Sequence, residues 1–204
     1  MECVIATMNQ GKQAEFGRLL QPLGWRLRGL QDFAAPDVAE TGATFIENAL
    51  LKARSACAAS GLPALADDSG LVVPALAGEP GIYSARYAAR NGAGEAGDDS
   101  ANNQWLLQRL QNHDATQRQA YFYCCLVWLR HAHDPAPLVA LGEWHGQILR
   151  QPRGAGGFGY DPLFVANGDE HSAAELPPAE KSRRSHRGQA LAALLSQLRS
   201  SPSG

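Results

Sequence analysis

Five stretches of the chain have the hydrophobic pattern of β-strands. Short apolar runs at residues 3–7 and 64–66 predict buried strands, and the alternation at 25–30 predicts a half-exposed strand. Residues 120–129 are apolar on both faces, which is typical of a central strand. Residues 138–149 predict a long strand or the bent arm of a hairpin.

Four helices are predicted around these strands. The clearest begins at a capping box of Thr44 and Glu47, which gives Glu47 a structural role, and it ends at Gly61. The other three are predicted from apolar residues at helical spacing. One carries Phe16 to Leu23 after the first strand. Another carries Trp105 to Leu110 with an N-cap at Asp99 or Ser100, and the last carries Leu191 to Leu198 with an N-cap at Ser185.

The composition excludes several classes of function. The 204 residues show no strong shift in composition, so we expect one domain over residues 1–204. The net charge of -2 provides no basic field, and no nucleic-acid partner is expected. No apolar run approaches the roughly 20 residues of a membrane span, and the N-terminus lacks a signal-peptide pattern, so no membrane partner is expected.

The four cysteines do not point to a metal or disulfide framework. None of them belongs to a C-x-x-C pair, and Cys124 and Cys125 lie inside an apolar run. We therefore expect reduced, buried thiols in a cytoplasmic protein.

Two neighbouring carboxylates, Asp67 and Asp68, are the first candidate for chemistry. They follow the apolar run at 64–66, and we expect Gly70 to end that strand. Ligands of open α/β sheets bind beyond the carboxyl ends of strands, where two carboxylates could hold Mg²⁺ and one could accept a proton from water. A return of the chain could bring Glu40 to the same place. The alternative is that the two carboxylates only cap a turn.

Polar, glycine-containing loops supply the second candidate. Lys12 follows a loop at a helix start, where backbone N–H groups and the helix dipole attract anions; the alternative is a solvated lysine. Four glycines within residues 154–159 allow a ligand to approach the backbone, and Phe158 or Tyr160 could stack on a base. The alternative there is an aromatic-rich turn.

A basic stretch at residues 180–188 is the third candidate. His186 and Arg187 fall in the first turn of the last helix, where positive charge opposes the helix dipole. This arrangement indicates an anionic or carbonyl-bearing partner, and the alternative is a solvated basic surface.

Seven motifs in order along the chain resemble the inosine/xanthosine triphosphate pyrophosphatase family. Each is weak alone, and together they cover nearly the whole sequence. They are Thr7-x-Asn9-x-x-Lys12, Glu40-Thr41-Gly42, Phe45-x-Glu47-Asn48-Ala49-x-x-Lys52-Ala53, Ala66-Asp67-Asp68-Ser69-Gly70-Leu71, Pro80-Gly81-Ile82-Tyr83-Ser84-Ala85-Arg86, Gly156-Gly157-Phe158-Gly159-Tyr160-Asp161-Pro162 and Lys181-x-x-x-Ser185-His186-Arg187-Gly188.

The resemblance implies a mixed α/β fold with an elongated central sheet flanked by helices and two lobes with a cleft between them. It implies a homodimer that requires Mg²⁺ and hydrolyses ITP, dITP and XTP to the monophosphate and pyrophosphate. By motif match, Asp68 would be catalytic and would bind the metal with Glu40. Substrate contacts would come from Thr7, Asn9, Lys12, Ser69, Phe158, Gly159, Tyr160, Asp161, Lys181, His186 and Arg187.

Two other functions remain open at this point. The first is a nucleotide pyrophosphatase of related fold that acts on modified pyrimidine nucleotides. The second is a non-catalytic module that binds nucleotides or RNA. The adjacent carboxylates and the low net charge speak against the second.

Overall fold

The computed structural model describes residues 1–33 and 38–200. In that part of the chain the strands are β1 Glu2–Ile5, β2 Arg26–Gly29, β3 Ala64–Val72, β4 Gln119–Leu129, β5 Leu138–Ile148 and β6 Phe164–Ala166. The α-helices are α1 Gln10–Leu20, α2 Phe45–Ser60, α3 Tyr87–Arg90, α4 Asp99–Arg109, α5 Pro178–Arg184 and α6 His186–Ser200.

The strands form a mixed, six-stranded open sheet in the order β2-β1-β3-β4-β5-β6, flanked by helices. Strand β1 pairs in parallel with β2 and with β3, while β5 and β6 pair antiparallel. All five predicted strands are present, and β4 lies inside the sheet as its apolar pattern predicts. The mixed α/β class is confirmed.

The predicted helix ends are mostly confirmed. Helix α2 begins with the reciprocal Thr44–Glu47 capping box, whose hydrogen bonds lower the pKa of Glu47, and it ends at Gly61. The N-cap predicted at Asp99 or Ser100 is wrong by one residue: Asp98 accepts the cap hydrogen bond, and Asp99 is already helical. The backbone N–H that needs a partner there is that of Ala101, which the Asp98 carboxylate reaches.

The prediction that Gly70 ends the third strand is wrong, because β3 continues to Val72. A side chain at this position would overlap the Ser84 hydroxyl and the carbonyl of Gly81. The Ser84 hydroxyl donates to that carbonyl and accepts from the backbone N–H of Leu71. Gly70 therefore permits a close approach of two segments inside a strand and does not break the strand.

The chain forms two compact units. Unit 1 consists of the described residues of Met1–Asp68, Cys124–Gly142 and Ser185–Gly204, and unit 2 consists of Ser69–Tyr123 and Glu143–Arg184. One domain over residues 1–204 stays a prediction.

The core of unit 1 packs side chains of α1 and α6 against the sheet. Phe16 and Leu20 of α1 and Leu191 and Leu194 of α6 share one buried cluster with Leu65 of β3. Helix α2 buries the small residues Ala49, Ala53, Ala56 and Cys57 instead. Small side chains allow this helix to lie close to its neighbours.

The core of unit 2 is built on aromatic contacts. The ring of Phe164 lies with its centroid 4.7 Å from Phe122 and 5.2 Å from Trp144. Leu106 and Leu110, from α4 and its end, belong to the same buried cluster. None of the helices in the described part of the chain has both the length and the apolar character needed to cross a membrane.

All four cysteines are free and buried, as the sequence predicts. Burial raises the pKa of Cys57 to about 11 and that of Cys3 to about 12, so neither thiol is ionised at neutral pH.

Since the thiolate is the reactive form, we expect Ellman's reagent at pH 8 to label no cysteine of the folded protein. All four should react in guanidinium chloride. Labelling of the native protein at the rate of free cysteine would contradict this.

Candidate functional site

The two adjacent carboxylates of β3 bind different partners. Successive side chains of a strand point to opposite faces of the sheet, so Asp67 and Asp68 cannot act as a facing pair. Asp67 lies 3.0 Å from the ammonium of Lys12, at the start of α1. Asp68 lies 3.0 Å from the ammonium of Lys52, on α2. Each carboxylate therefore belongs to its own cluster of charges in unit 1.

The first cluster, called here the lysine bridge, consists of Glu40, Asn48, Lys52 and Asp68. The Lys52 ammonium donates to Glu40 at 2.9 Å and to one oxygen of Asp68 at 3.0 Å. The other Asp68 oxygen accepts from the side-chain amide of Asn48 at 3.1 Å. The predicted approach of Glu40 to Asp68 is confirmed, because one cation binds both carboxylates.

Burial and charge set the protonation of the lysine bridge. Burial raises the pKa of the Asp68 carboxyl, and the nearby Lys52 ammonium opposes this rise. Burial acts to lower the pKa of Lys52, but the surrounding carboxylates, Asp68 first, outweigh burial and raise it overall. Lys52 therefore stays charged, and Asp68 is more basic than an ordinary aspartate.

The second cluster, called here the arginine cluster, consists of Lys12, Glu15, Asp67 and Arg187. The Arg187 guanidinium lies 2.8 Å from Glu15 and 3.4 Å from Asp67, and Lys12 completes the cluster through Asp67. Burial acts to lower the pKa of Arg187, but Glu15 and Asp67 outweigh it and raise the pKa. The two negative charges of the carboxylates are therefore compensated by the two positive charges of Lys12 and Arg187.

The arginine cluster explains the basic first turn of α6. The sequence pattern indicates an anionic partner for Arg187, and the protein itself supplies two, Glu15 and Asp67. Ser185 caps the turn, since its hydroxyl accepts from the backbone N–H of Gly188 at 3.3 Å. His186 is buried beside Arg187.

The start of α1 is arranged as the motif Thr7-x-Asn9-x-x-Lys12 predicts. The Asn9 side chain caps the helix by accepting from the backbone N–H of Lys12 at 3.0 Å. The Thr7 hydroxyl accepts from the backbone N–H of Asn9 at 3.2 Å. These bonds hold the loop in front of a helix N-terminus and beside the Lys12 ammonium, which is the arrangement that attracts a phosphate.

The glycine-rich stretch of unit 2 holds a third cluster. One Asp161 oxygen accepts from the Lys181 ammonium at 2.5 Å and from the backbone N–H of Phe158 at 2.7 Å. The same ammonium lies 4.8 Å from the centroid of the Phe158 ring. The Tyr160 hydroxyl donates to the carbonyl of Ser84, and Gly159 donates to Asp99. Carboxylate, ammonium and aromatic ring are therefore held together.

The predicted site residues thus fall into groups. Unit 1 holds Thr7, Asn9, Lys12, Glu40, Asp68, His186 and Arg187. Unit 2 holds Phe158, Gly159, Tyr160, Asp161 and Lys181, and it begins at Ser69, the half-buried residue after Asp68 in β3.

Sequence reasoning missed Glu15, Asn48 and Lys52 as members of the charge clusters. Asn48 and Lys52 are four residues apart, so they share one face of α2, while most of the other buried residues of this helix are alanines. Two polar residues at this spacing in an alanine-rich helix were the available signal. Glu15 carried a weaker signal, because its partner Arg187 is 172 residues away.

Nowhere in residues 1–33 and 38–200 do three or more histidine, cysteine, aspartate or glutamate side chains form a group that could hold a metal ion. The lysine bridge supplies two carboxylates, Glu40 and Asp68.

Comparison with known proteins identifies close relatives. The model of the Ham1 family matches residues 3–197. The dITP/XTP pyrophosphatase of Thioalkalivibrio sulfidiphilus is 52% identical over 97% of this chain and 98% of its own length. That of Escherichia coli K12 is 52% identical over 96% and 97%. The structure of a HAM1 protein from Coxiella burnetii, 45% identical, superimposes with a TM-score of 0.87 over 98% of this chain and 100% of the other.

Replacing Lys52 tests whether its ammonium holds the two carboxylates of the lysine bridge together. We expect Lys52→Met to lower the free energy of unfolding by about 3 kcal/mol, because two partly buried carboxylates lose their shared cation. Urea denaturation followed by circular dichroism measures the change. Arg54→Met, an exposed cation two residues away on the same helix, is the matched control and should change stability by less than about 0.5 kcal/mol. Equal effects of the two substitutions would contradict the bridge.

Proposed function

The chain belongs to the Ham1 family, and we propose that it hydrolyses the non-standard purine nucleoside triphosphates dITP, ITP and XTP to the monophosphate and pyrophosphate. The observation that carries this proposal is the lysine bridge, in which Glu40 and Asp68 converge on one cation. The relatives named dITP/XTP pyrophosphatase support the choice of substrate.

The lysine bridge fits Mg²⁺ as the metal of the reaction. Mg²⁺ prefers oxygen ligands and is usually held by one or two carboxylates together with substrate phosphates and water. Glu40 and Asp68 are such a pair, and the side chain of Glu40 is 25% exposed, so a ligand can reach it. We propose that these two residues hold Mg²⁺ that arrives with the nucleotide. When bound, the metal supplies positive charge against the phosphates.

Asp68 is the proposed proton acceptor. Water attacks the α-phosphorus and forms a new P–O bond, the bond from the α-phosphorus to the bridging oxygen breaks, and pyrophosphate leaves with the electron pair. One proton of the attacking water passes to a carboxylate oxygen of Asp68. The assignment rests on the position of the Asp68 carboxylate beside Glu40, because burial raises its pKa while the charge of a bound Mg²⁺ would lower it. Lys52 holds the carboxylate in place.

The loop before α1 is the proposed phosphate site. Thr7 and Asn9 order this loop, the helix dipole points its positive end at it, and Lys12 adds a formal charge. Because Asp67 pairs with Lys12 and Arg187, we assign Asp67 to positioning these cations and not to the metal.

We propose that the base is recognised by aromatic and charged residues. In unit 2, the half-buried Phe158 offers a ring face, and Asp161 and Lys181 offer hydrogen bonds. Tyr160 is proposed as a contact of the same pocket, although its ring is buried in the core and its hydroxyl donates to Ser84. Ser69, Gly159 and His186 are proposed as further substrate contacts. The six-position carbonyl of inosine and xanthine requires donors, and we propose Arg187 as one of them.

Other parts of the proposal follow from the family resemblance alone. We propose that the chain forms a single domain over residues 1–204, acts on a purine nucleoside triphosphate and assembles as a homodimer. A nucleotide pyrophosphatase for modified pyrimidines is the alternative enzyme, and a non-catalytic nucleotide-binding or RNA-binding module is the alternative of another class. Release of pyrophosphate from ITP, dITP, XTP, ATP and modified pyrimidine nucleotides, with and without EDTA, distinguishes all three.

Substituting the proposed base tests the function directly. We expect Asp68→Asn to lower kcat on ITP by about 10²- to 10⁴-fold, because an amide cannot accept the proton of the attacking water. Pyrophosphate release in the presence of Mg²⁺ measures the rate. Asp134→Asn is the control, since Asp134 is also buried and ion-paired but contacts Arg130. A rate for Asp68→Asn within about threefold of wild type would refute the assignment.

Replacing the proposed specificity residue tests how the base is selected. Arg187→Lys keeps a cation beside Glu15 and Asp67 but removes the planar guanidinium. We expect the ratio of kcat/KM for ITP to that for ATP to fall at least about tenfold, because a donor to the six-position carbonyl is lost. Glu15→Gln, which leaves the guanidinium, should change the ratio less. If Arg187→Lys leaves the ratio unchanged, Arg187 does not determine specificity.

A further inference from the structure

Asn48 is a fully buried amide in the first turn of α2, with 0% of its surface exposed. Both ends of its side chain are hydrogen-bonded. The amide nitrogen donates to one oxygen of Asp68 at 3.1 Å. The amide oxygen accepts from the backbone N–H of Gly42 at 2.8 Å. One side chain therefore connects the strand that carries Asp68 to the loop that carries Glu40.

From this bridge we infer that Asn48 is a positioning residue, which sets the orientation of the Asp68 carboxylate and its separation from Glu40. This inference deepens the proposed function and rests on it. Asn48 touches neither substrate nor metal in this assignment. It acts through Asp68 on one side and through the backbone of Gly42 on the other.

The two oxygens of Asp68 bind different donors, and this pattern supports the inference. One oxygen bonds to the Lys52 ammonium at 3.0 Å, and the other bonds to the Asn48 amide. Hydrogen bonds at both oxygens restrain the rotation of the carboxylate about its last bond. Asn48 and Lys52 are four residues apart on α2, so both holding groups come from one rigid helix face.

The loop side of the bridge is equally constrained. A side chain at position 42 would overlap the Asn48 amide oxygen and the first side-chain carbon of Glu47. The loop therefore lies too close to α2 for a side chain at position 42, two residues after Glu40. Glu47 itself is fixed by the capping box at the start of the helix. The cap, the loop and Asn48 together hold Glu40 beside Lys52.

Partners that orient metal-binding carboxylates typically change metal affinity or activity by about 10- to 100-fold when they are removed. We therefore expect Asn48→Ala to lower kcat on ITP by about 10- to 100-fold and to change KM by less than about threefold. Binding of Mn²⁺ without nucleotide can be followed by electron paramagnetic resonance. Half-occupancy of the Asn48→Ala variant should require a Mn²⁺ concentration at least about tenfold higher than half-occupancy of the wild type.

Asn102→Ala is the matched control. Asn102 is also a buried amide, and it too bonds at both ends, to the backbone at Ala88 and Ala85. Both alanine variants should lose comparable thermal stability, but Asn102→Ala should keep kcat and Mn²⁺ binding within about twofold of wild type. If the role of Asn48 were purely structural, the two variants would behave alike in thermal stability, kcat and Mn²⁺ binding. That result would overturn the inference.

A second variant covers the case in which Asn48→Ala does not fold. Asn48→Leu keeps the approximate shape of the side chain, adds no charge beside Asp68 and removes the N–H donor, and its kcat should fall as far as that of the alanine variant. A kcat within about threefold of wild type in Asn48→Leu would overturn the inference. If the wild-type chain releases no pyrophosphate from ITP, the proposed function fails, and the Mn²⁺ titrations of wild type, Asn48→Ala and Asn102→Ala still decide the role of Asn48.

Discussion

The organisation of unit 1 depends on two neighbouring carboxylates in one buried strand. A charged group inside a protein is tolerated only when it is paired and hydrogen-bonded. Because adjacent strand residues point to opposite faces, Asp67 and Asp68 require separate partners. Lys12 and Arg187 supply the charge for Asp67, and Lys52 supplies it for Asp68.

This separation gives the two carboxylates different chemistry. The side chain of Asp67 has no exposed surface and is held between two cations, which suits a fixed structural charge. Asp68 shares its cation with Glu40, whose side chain reaches solvent. Of the two carboxylates, Glu40 is the more exposed, with 25% of its side chain accessible against 6% for Asp68.

Local sequence signals predicted local structure well. The Thr44–Glu47 box and Gly61 mark the ends of α2 because their hydrogen bonds lie within one or two turns. Features that depend on distant segments were harder. From the local sequence, Gly70 predicts the end of a strand. The structure shows that a glycine is needed there because Ser84, 14 residues later in the chain, lies against it.

The candidate site shows the same limit. Motif matching named Asp68 and Glu40, and the structure joins them through Lys52, which lies in a quoted motif but received no role. Asn48 was missed for the same reason, because a polar residue among alanines has no evident partner until the fold is known. Charges that cancel across the chain, as in Glu15 and Arg187, are visible only in three dimensions.

The central claim is that the two carboxylates of β3 have different roles: Asp68 binds the metal, and Asp67 positions the cations Lys12 and Arg187. A crystal structure of the protein with Mg²⁺ and a non-hydrolysable analogue of ITP tests it most directly. The account predicts Glu40 and Asp68 as the protein ligands of the metal, with Asp67 still bound to Arg187. A metal ion held by Asp67, with Asp68 turned away from it, would contradict the account.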